Sequence, residues 1–164
     1  MDPLYSFEEE NKTGKKINRC HSYDDFLRGY YELKKRNIKV CVHLILGLPE
    51  ETHGMMLESA KKVAALKPDF IKLHLLHILK GTKISKQYEA GEFETLSLTE
   101  YVNTVCDCLE QIPKETVIQR LTGDGGRDTL IAPLWSLKKF VVLNEIDKEL
   151  IRRDSCQGKF FKDN

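Results

Sequence analysis

The chain has 164 residues, a mass of 19.0 kDa and a formal net charge of +1. Near-neutrality gives no electrostatic case for nucleic acid or an anionic membrane as a partner. With 41% apolar and 31% charged residues, the composition is that of one globular domain with a sizeable core, not a disordered chain. No apolar run approaches the roughly 20 residues of a membrane span and no signal peptide opens the chain, so no membrane association and a cytoplasmic location are expected.

In chain order, residues 1–16 form a polar, irregular lead-in. It reaches the first helix without an apolar strand, an unusual opening for an α/β domain and the first sign of a missing upstream portion. Ser22 is an N-cap followed by acidic Asp24 and Asp25. Phe26, Leu27, Tyr30, Tyr31 and Leu33 recur at helical spacing, Lys34-Lys35-Arg36 suits the C-terminal dipole, and Asn37 is a left-handed stop. Ile38 to Leu46 is a nearly continuous apolar run ending at Gly47 and Pro49, which reads as a strand buried in a parallel sheet. A second helix begins near Thr52, with Met55, Met56, Ser59, Ala60, Val63, Ala64 and Leu66 facing inward, and Lys67-Pro68-Asp69 ends it. Phe70 to Leu76 is the next strand, completing a right-handed βαβ unit.

Ile84 to Phe93 is a polar excursion with a short helical turn around Ser85 to Glu89. Ser97 or Thr99 starts a third helix, with Tyr101, Val102, Val105, Leu109 and Ile112 on one face and Pro113 as its stop. Thr116 to Leu121 is a third strand, running into the glycine-dense Thr122 to Gly126. Pro133 occupies the first turn of a last helix extending to about Arg152, and a loose polar tail follows. The predicted organisation is a lead-in over 1–16, an α/β domain over 17–153 and a tail over 154–164. Three parallel strands are too few for a closed barrel, which needs about eight. They make a curved open sheet, half of something larger.

Strand parity sorts the chemistry. Cys41, His43, Ile45 and Gly47 share one face of the first strand; Lys72, His74 and Leu76 share one face of the second. The opposite faces are aliphatic and suit packing against helices. His43, Lys72 and His74 are costly to bury without partners, so their face is expected to look into a polar cavity. His74 and His77 lie three apart and should point to opposite sides, which argues against a two-histidine metal clamp. Cys20, Cys41, Cys106, Cys108 and Cys156 have neither disulfide nor zinc spacing and read as small buried or half-buried thiols. His21 and His53 read as surface residues. The Thr122 to Gly126 turn offers backbone N–H groups to an anion, or is simply a turn fixed by an Arg120–Asp124 ion pair.

The segment His43-Leu44-Ile45-Leu46-Gly47-Leu48-Pro49-Glu50 resembles the G-x-I-x-G-x-x-E element on the fifth strand of radical S-adenosylmethionine enzymes. Ile45, Gly47 and Glu50 match, and His43 stands at the first glycine. Asn18-Arg19-Cys20-His21, Lys72 to His77, Lys80-Gly81-Thr82, Arg120 to Asp124 and Ala132 to Trp135 resemble, in the same order, the predicted iron–sulfur oxidoreductases related to elongator-type radical SAM proteins. The likeness covers roughly residues 17 to 158. It implies an α/β fold, the C-terminal half of a partial (β/α)6 TIM-like barrel. It also implies S-adenosylmethionine and a [4Fe–4S] cluster as cofactors of the full-length parent, with Ile45 on the adenine, Gly47 and Glu50 in the same element, and the backbone of Leu75, Leu76 and His77 at the adenine edge. His43, Lys72 and His74 then become substrate-facing candidates.

The family's C-x3-C-x2-C triplet and its methionine-binding glycine-rich segment have no counterpart here. The expectation is therefore a fragment of an enzyme that reductively cleaves S-adenosylmethionine to start hydrogen abstraction. The fragment would be inactive alone, without bound cofactor, metal site or catalytic residue of its own. Its expected partner is the missing N-terminal half-barrel, with self-association through an exposed strand edge. The competing reading is a non-enzymatic half-barrel that binds a nucleoside-like ligand or a partner protein. A third, histidine–aspartate acid–base chemistry, lacks carboxylates converging on a histidine.

Overall fold

The computed structural model describes residues 20–123 and 125–163. The lead-in over 1–16, Asn18 and Arg19 of the family-like text, and Asp124 of the expected ion pair lie outside them. The chain divides into two compact units, Met1–Val40 and Cys41–Asn164.

The first unit contains α1 (Tyr23–Lys35), closed at its start by a capping box. The Asp25 amide donates to Ser22 Oγ at 3.2 Å, and the Ser22 amide donates to Asp25 Oδ2 at 2.9 Å, satisfying two donors that a helix start leaves open. Asn37 takes φ +55° and the Ile38 amide returns to the Leu33 carbonyl, which ends the helix as expected.

The second unit holds a three-stranded parallel sheet in the order β1 (Cys41–Leu46), β2 (Phe70–Leu75), β4 (Val117–Arg120). All three strands are shorter than the sequence predicts: the ladder begins only where Cys41 meets Phe70 and Val117, β2 ends at Leu75 and β4 at Arg120. Val42, Leu46, Ile71, Leu73 and Leu75 alternate inward and are buried. The helical layer comprises α2 (His53–Ala65), α4 (Leu98–Gln111) and α5 (Lys139–Arg152), packed α2 on β1 and on α4, and α4 on α5. Ser97, not Thr99, caps α4, and α2 turns on Thr52.

Two short strands have no counterpart in the sequence prediction, and the helical turn expected around Ser85 to Glu89 is present. β3 (Ile78–Leu79) pairs antiparallel with β5 (Leu130–Ala132), and α3 (Lys83–Glu89) is a seven-residue helix capped by Thr82. The last helix also departs from expectation. Pro133 follows a cis peptide and precedes a 3-10 turn (Leu134–Leu137), and α5 starts only at Lys139.

α4 is buried almost all round, which explains why both Cys106 and Cys108 are buried although they sit two apart. Burial pushes their thiols up to about 11 and about 12, so both are protonated packing groups. The tail, expected to be loose, is docked instead. The amides of Gly158 and Phe160 donate to the last α4 carbonyls, Leu109 at 3.0 Å and Glu110 at 2.8 Å, and Gln157 Nε2 donates to the carbonyls of Pro113 and Thr116. The tail supplies donors to carbonyls that a helix end otherwise leaves unmet. Among the described residues no helix is long and apolar enough to cross a membrane.

Candidate functional site

The parallel register turns the parity argument into neighbours. His43 lies opposite Lys72, Ile45 opposite His74, and Lys72 opposite Arg120. The His43 and His74 rings stack with centroids 5.5 Å apart and planes 11° from parallel. His74 Nε2 is buried with no hydrogen-bond partner. Burial comes first, followed by the surrounding His43, Arg120, Lys72 and His77, in holding its pKa below the usual histidine range, so His74 is neutral. Cys41, at the amino end of this face, donates from Sγ to Gln119 Oε1 at 3.4 Å. Ile45 stays 47% exposed, an apolar side chain opposite His74 on this face.

At the carboxyl ends of β1 and β2 the chain forms a shallow recess lined by Leu46, Gly47, Leu75, Leu76, Thr95, Leu96 and Pro133, too shallow to enclose a water molecule. A roomier cleft of about 340 Å³ lies at the opposite end, against Asp69, Thr116 and the tail residue Phe161. In sheets of this kind ligands bind off the carboxyl ends of the strands, so the recess is the relevant feature. Gly47 is buried beside it at φ +80°, and a Cβ there would sit 2.9 Å from Leu96 Cδ1. Both the backbone conformation and the contact demand glycine. Gly47→Ala is expected to lower stability by about 2 kcal/mol in urea denaturation. A loss below about 0.5 kcal/mol would show that Leu96 moves aside freely.

The acidic residue that fixes this turn is Glu51, the neighbour of the motif's Glu50. Glu50 is exposed at φ +65°. Glu51 folds back beneath the turn, and its Oε2 accepts the amides of Gly47 and Leu48, each at 3.1 Å. Burial pushes its pKa up to about 7, against the opposing pull of those two amides. Only the turn's backbone path reveals this.

On the other side of the recess, the Leu76 amide donates to the Leu46 carbonyl at 2.9 Å, so it is committed to the sheet and not free for an adenine edge. Ser136 Oγ donates to the Pro133 carbonyl at 2.8 Å and therefore accepts from His77 Nε2 at 3.1 Å. His77 thus carries its proton on Nε2. Its ring fills the space over Gly123, where a Cβ would meet His77 Cε1 at 2.6 Å. Gly125 and Gly126 are similarly closed by Leu130 and Thr129, so packing accounts for the described glycines of that turn. His74 stacks on His43, whereas His77 is held at Ser136, so the two histidines have different neighbours. A histidine–aspartate pair does form, His53 Nε2 with Asp107 Oδ2 at 2.7 Å, but it joins α2 to α4 and Arg153 shares the same carboxylate.

The chain's donor set does not fit an iron–sulfur cluster. No group of three histidine, cysteine or carboxylate side chains converges among the described residues. Cys106 and Cys108 are buried in α4 with their thiols held protonated, and Cys41 is bonded to Gln119. At the strand ends, Ile45 is exposed and the shallow recess is lined by backbone and aliphatic groups.

Comparison with known proteins gives the frame. Residues 68–152 match the Radical_SAM C-terminal domain family. The chain is 50% identical over 151 residues to the uncharacterized protein YtqA of Bacillus subtilis, covering 92% of this chain and 47% of YtqA. It is 37% identical over 153 residues to the uncharacterized protein MJ0486 of Methanocaldococcus jannaschii, covering 92% of this chain and 48% of that one. The chain thus spans about half the length of these curated relatives. Among solved structures, the archaeal Elp3 of Methanocaldococcus infernus superposes with a TM-score of 0.72 at 21% identity, over 85% of this chain and 34% of Elp3. The parallel sheet with its helical layer is accordingly part of a TIM-like barrel, and the chain belongs to the radical S-adenosylmethionine superfamily, through a Radical_SAM C-terminal domain.

Proposed function

We propose that this chain is the C-terminal half-barrel of a cytoplasmic radical SAM iron–sulfur oxidoreductase. In that reading it supplies the adenine-contacting strand ends and part of the substrate face, and the cluster ligands come from the other half. The observation that carries this is Ile45, an exposed apolar side chain at the carboxyl end of β1, beside the Gly47 turn. When bound, the cluster and S-adenosylmethionine supply reductive cleavage of the sulfonium to start hydrogen abstraction. This chain's own residues position: Ile45 lies against the base, Gly47 and Glu51 set the turn's path, and Glu50 sits exposed where that turn meets solvent.

The proposed partner is the complementary half-barrel, added along a free edge of the sheet. β1 and β4 are the edge strands of the three. Without that partner, exposed Ile45 and Val117 on the open face favour association between copies.

The test is anaerobic iron–sulfide reconstitution of the chain alone and of the chain joined to the upstream half of YtqA. Iron content, calorimetric titration with S-adenosylmethionine and 5′-deoxyadenosine formation are measured on both. Cleavage is expected only in the joined protein, and there Ile45→Asp weakens S-adenosylmethionine binding about ten-fold, the effect of losing part of one aliphatic contact. A stoichiometric cluster on the chain alone would overturn the division of labour. A joined protein that carries a cluster and yields no 5′-deoxyadenosine with a strong reductant would overturn the enzyme reading.

A further inference from the structure

β1, β2 and β4 contain no aspartate or glutamate. Their open face carries instead a row of basic side chains, His43, Lys72 and Arg120, at directly opposed positions on three successive strands. With strands about 4.8 Å apart, the row spans roughly 10 Å, within reach of one group for side chains as long as lysine and arginine. Among the described residues the Lys72 ammonium makes no hydrogen bond or ion pair. One layer nearer the carboxyl ends, His74 stacks on His43 and keeps a buried Nε2 without a partner.

A buried polar atom without a partner carries a desolvation cost, and sites retain such atoms where a ligand completes them. Among the described residues, the side chains that act on that histidine are basic ones: His43, Arg120, Lys72 and His77. The three strands therefore bring Lys72 and Arg120 to this face and no carboxylate of their own, although the whole chain is nearly neutral. A neutral imidazole still donates or accepts one hydrogen bond, and the flanking ammonium and guanidinium supply the charge-assisted ones. That combination of fixed cations around one neutral donor suits an oxyanion.

We propose that the row His43–Lys72–Arg120, with His74 Nε2 beside it, is a subsite for an anionic group, a phosphate or a carboxylate, carried by the enzyme's substrate. The word substrate rests on the radical SAM reading. The anion site itself rests only on the sheet face. Ile45, opposite His74 in the register, places the subsite next to the proposed cofactor position.

The experiment is a side-chain histidine ¹H–¹⁵N NMR titration of this chain with inorganic phosphate and, separately, with acetate, at constant ionic strength set by chloride. Saturable shifts are expected at His74 and His43 but not at His53, which lies on α2 and is paired with Asp107. Lys72→Gln and Arg120→Gln should each weaken binding about ten-fold, the loss of one charge-assisted contact, while Lys72→Arg retains most of it. Saturation by phosphate alone or by acetate alone assigns the source of the anion. Absence of a saturable shift with either, shifts of equal size at His53, or binding unchanged in both glutamine variants would overturn the proposal. The 5′-deoxyadenosine assay on the joined protein reads the parent hypothesis separately. Anion binding without cleavage keeps the subsite and removes the substrate reading. Cleavage without anion binding keeps the enzyme reading, and the proposed subsite fails.

Discussion

Replacing Tyr101 by alanine is expected to destabilise the chain by about 4 kcal/mol and to lower its melting temperature by about 10 °C. Tyr101 is fully buried on α4. Its ring lies 5.4 Å from Trp135, and its hydroxyl donates to the Leu121 carbonyl at 2.9 Å. Trp135 in turn donates from Nε1 to the Leu96 carbonyl at 3.1 Å, and Leu96 closes over Gly47. One side chain therefore ties α4 to the exit of β4 and, through Trp135, to the wall of the recess. Tyr101→Phe keeps the ring and loses only the hydrogen bond, leaving the Leu121 carbonyl without that donor, which costs about 1–2 kcal/mol. Urea denaturation of the two variants separates the contributions. If phenylalanine costs as much as alanine, the hydroxyl and not the packing holds this junction. If alanine costs less than about 1.5 kcal/mol, the recess wall is supported from elsewhere.

What the sequence discloses about this site follows its periodicity. A period of two identifies the face that His43, Ile45, Lys72 and His74 share, because parity is a property of each strand alone. It does not say that His43 meets Lys72, or that the His43 and His74 rings stack, because register between strands is set by the whole sheet. Capping boxes are local, so Ser22 and Ser97 are readable as helix starts. β3 and β5 are two and three residues long and lie about fifty residues apart, too short for a periodic signal and too distant for a turn signal. The docked tail is polar in sequence because its role is to satisfy the ends of other elements, Leu109, Glu110, Pro113 and Thr116, and not to bury an apolar stripe. The role of Glu51 in the turn is hidden from the sequence for a related reason. Counting residues places the carboxylate by spacing, whereas the left-handed backbone at Glu50 turns the chain so that the next side chain points under the turn.

Glu51 should make the chain less stable as pH rises from about 5 to about 8, and Glu51→Gln should abolish most of that dependence. The carboxyl's pKa is about 7 in the folded chain against the usual 4.5, because burial penalises its charge more than two backbone amides reward it. Below 4.5 the acid is protonated in both states and contributes no pH dependence. Between 4.5 and about 7 the folded chain binds the extra proton, so stability falls as pH rises. Above about 7 both states are ionised and the loss is complete, about 3 kcal/mol in all. Glutamine is neutral throughout and keeps an amide oxygen to accept from Gly47 and Leu48. Near pH 5 it should match the parent chain, and at pH 8 it should be the more stable by up to that amount. Glu51→Leu removes the acceptor as well as the charge. It should destabilise at pH 5, by about 2 kcal/mol, because two part-buried amides lose their oxygen partner and only Met56 Sδ, 3.2 Å from the Gly47 amide, remains. Urea denaturation of the three proteins across this range separates the two contributions. A parent profile that is flat in pH, or a glutamine variant that follows the parent, would mean that Glu51 is ionised with its charge solvated in the folded chain. The Gly47 turn would then be held by its backbone conformation and by Leu96 alone.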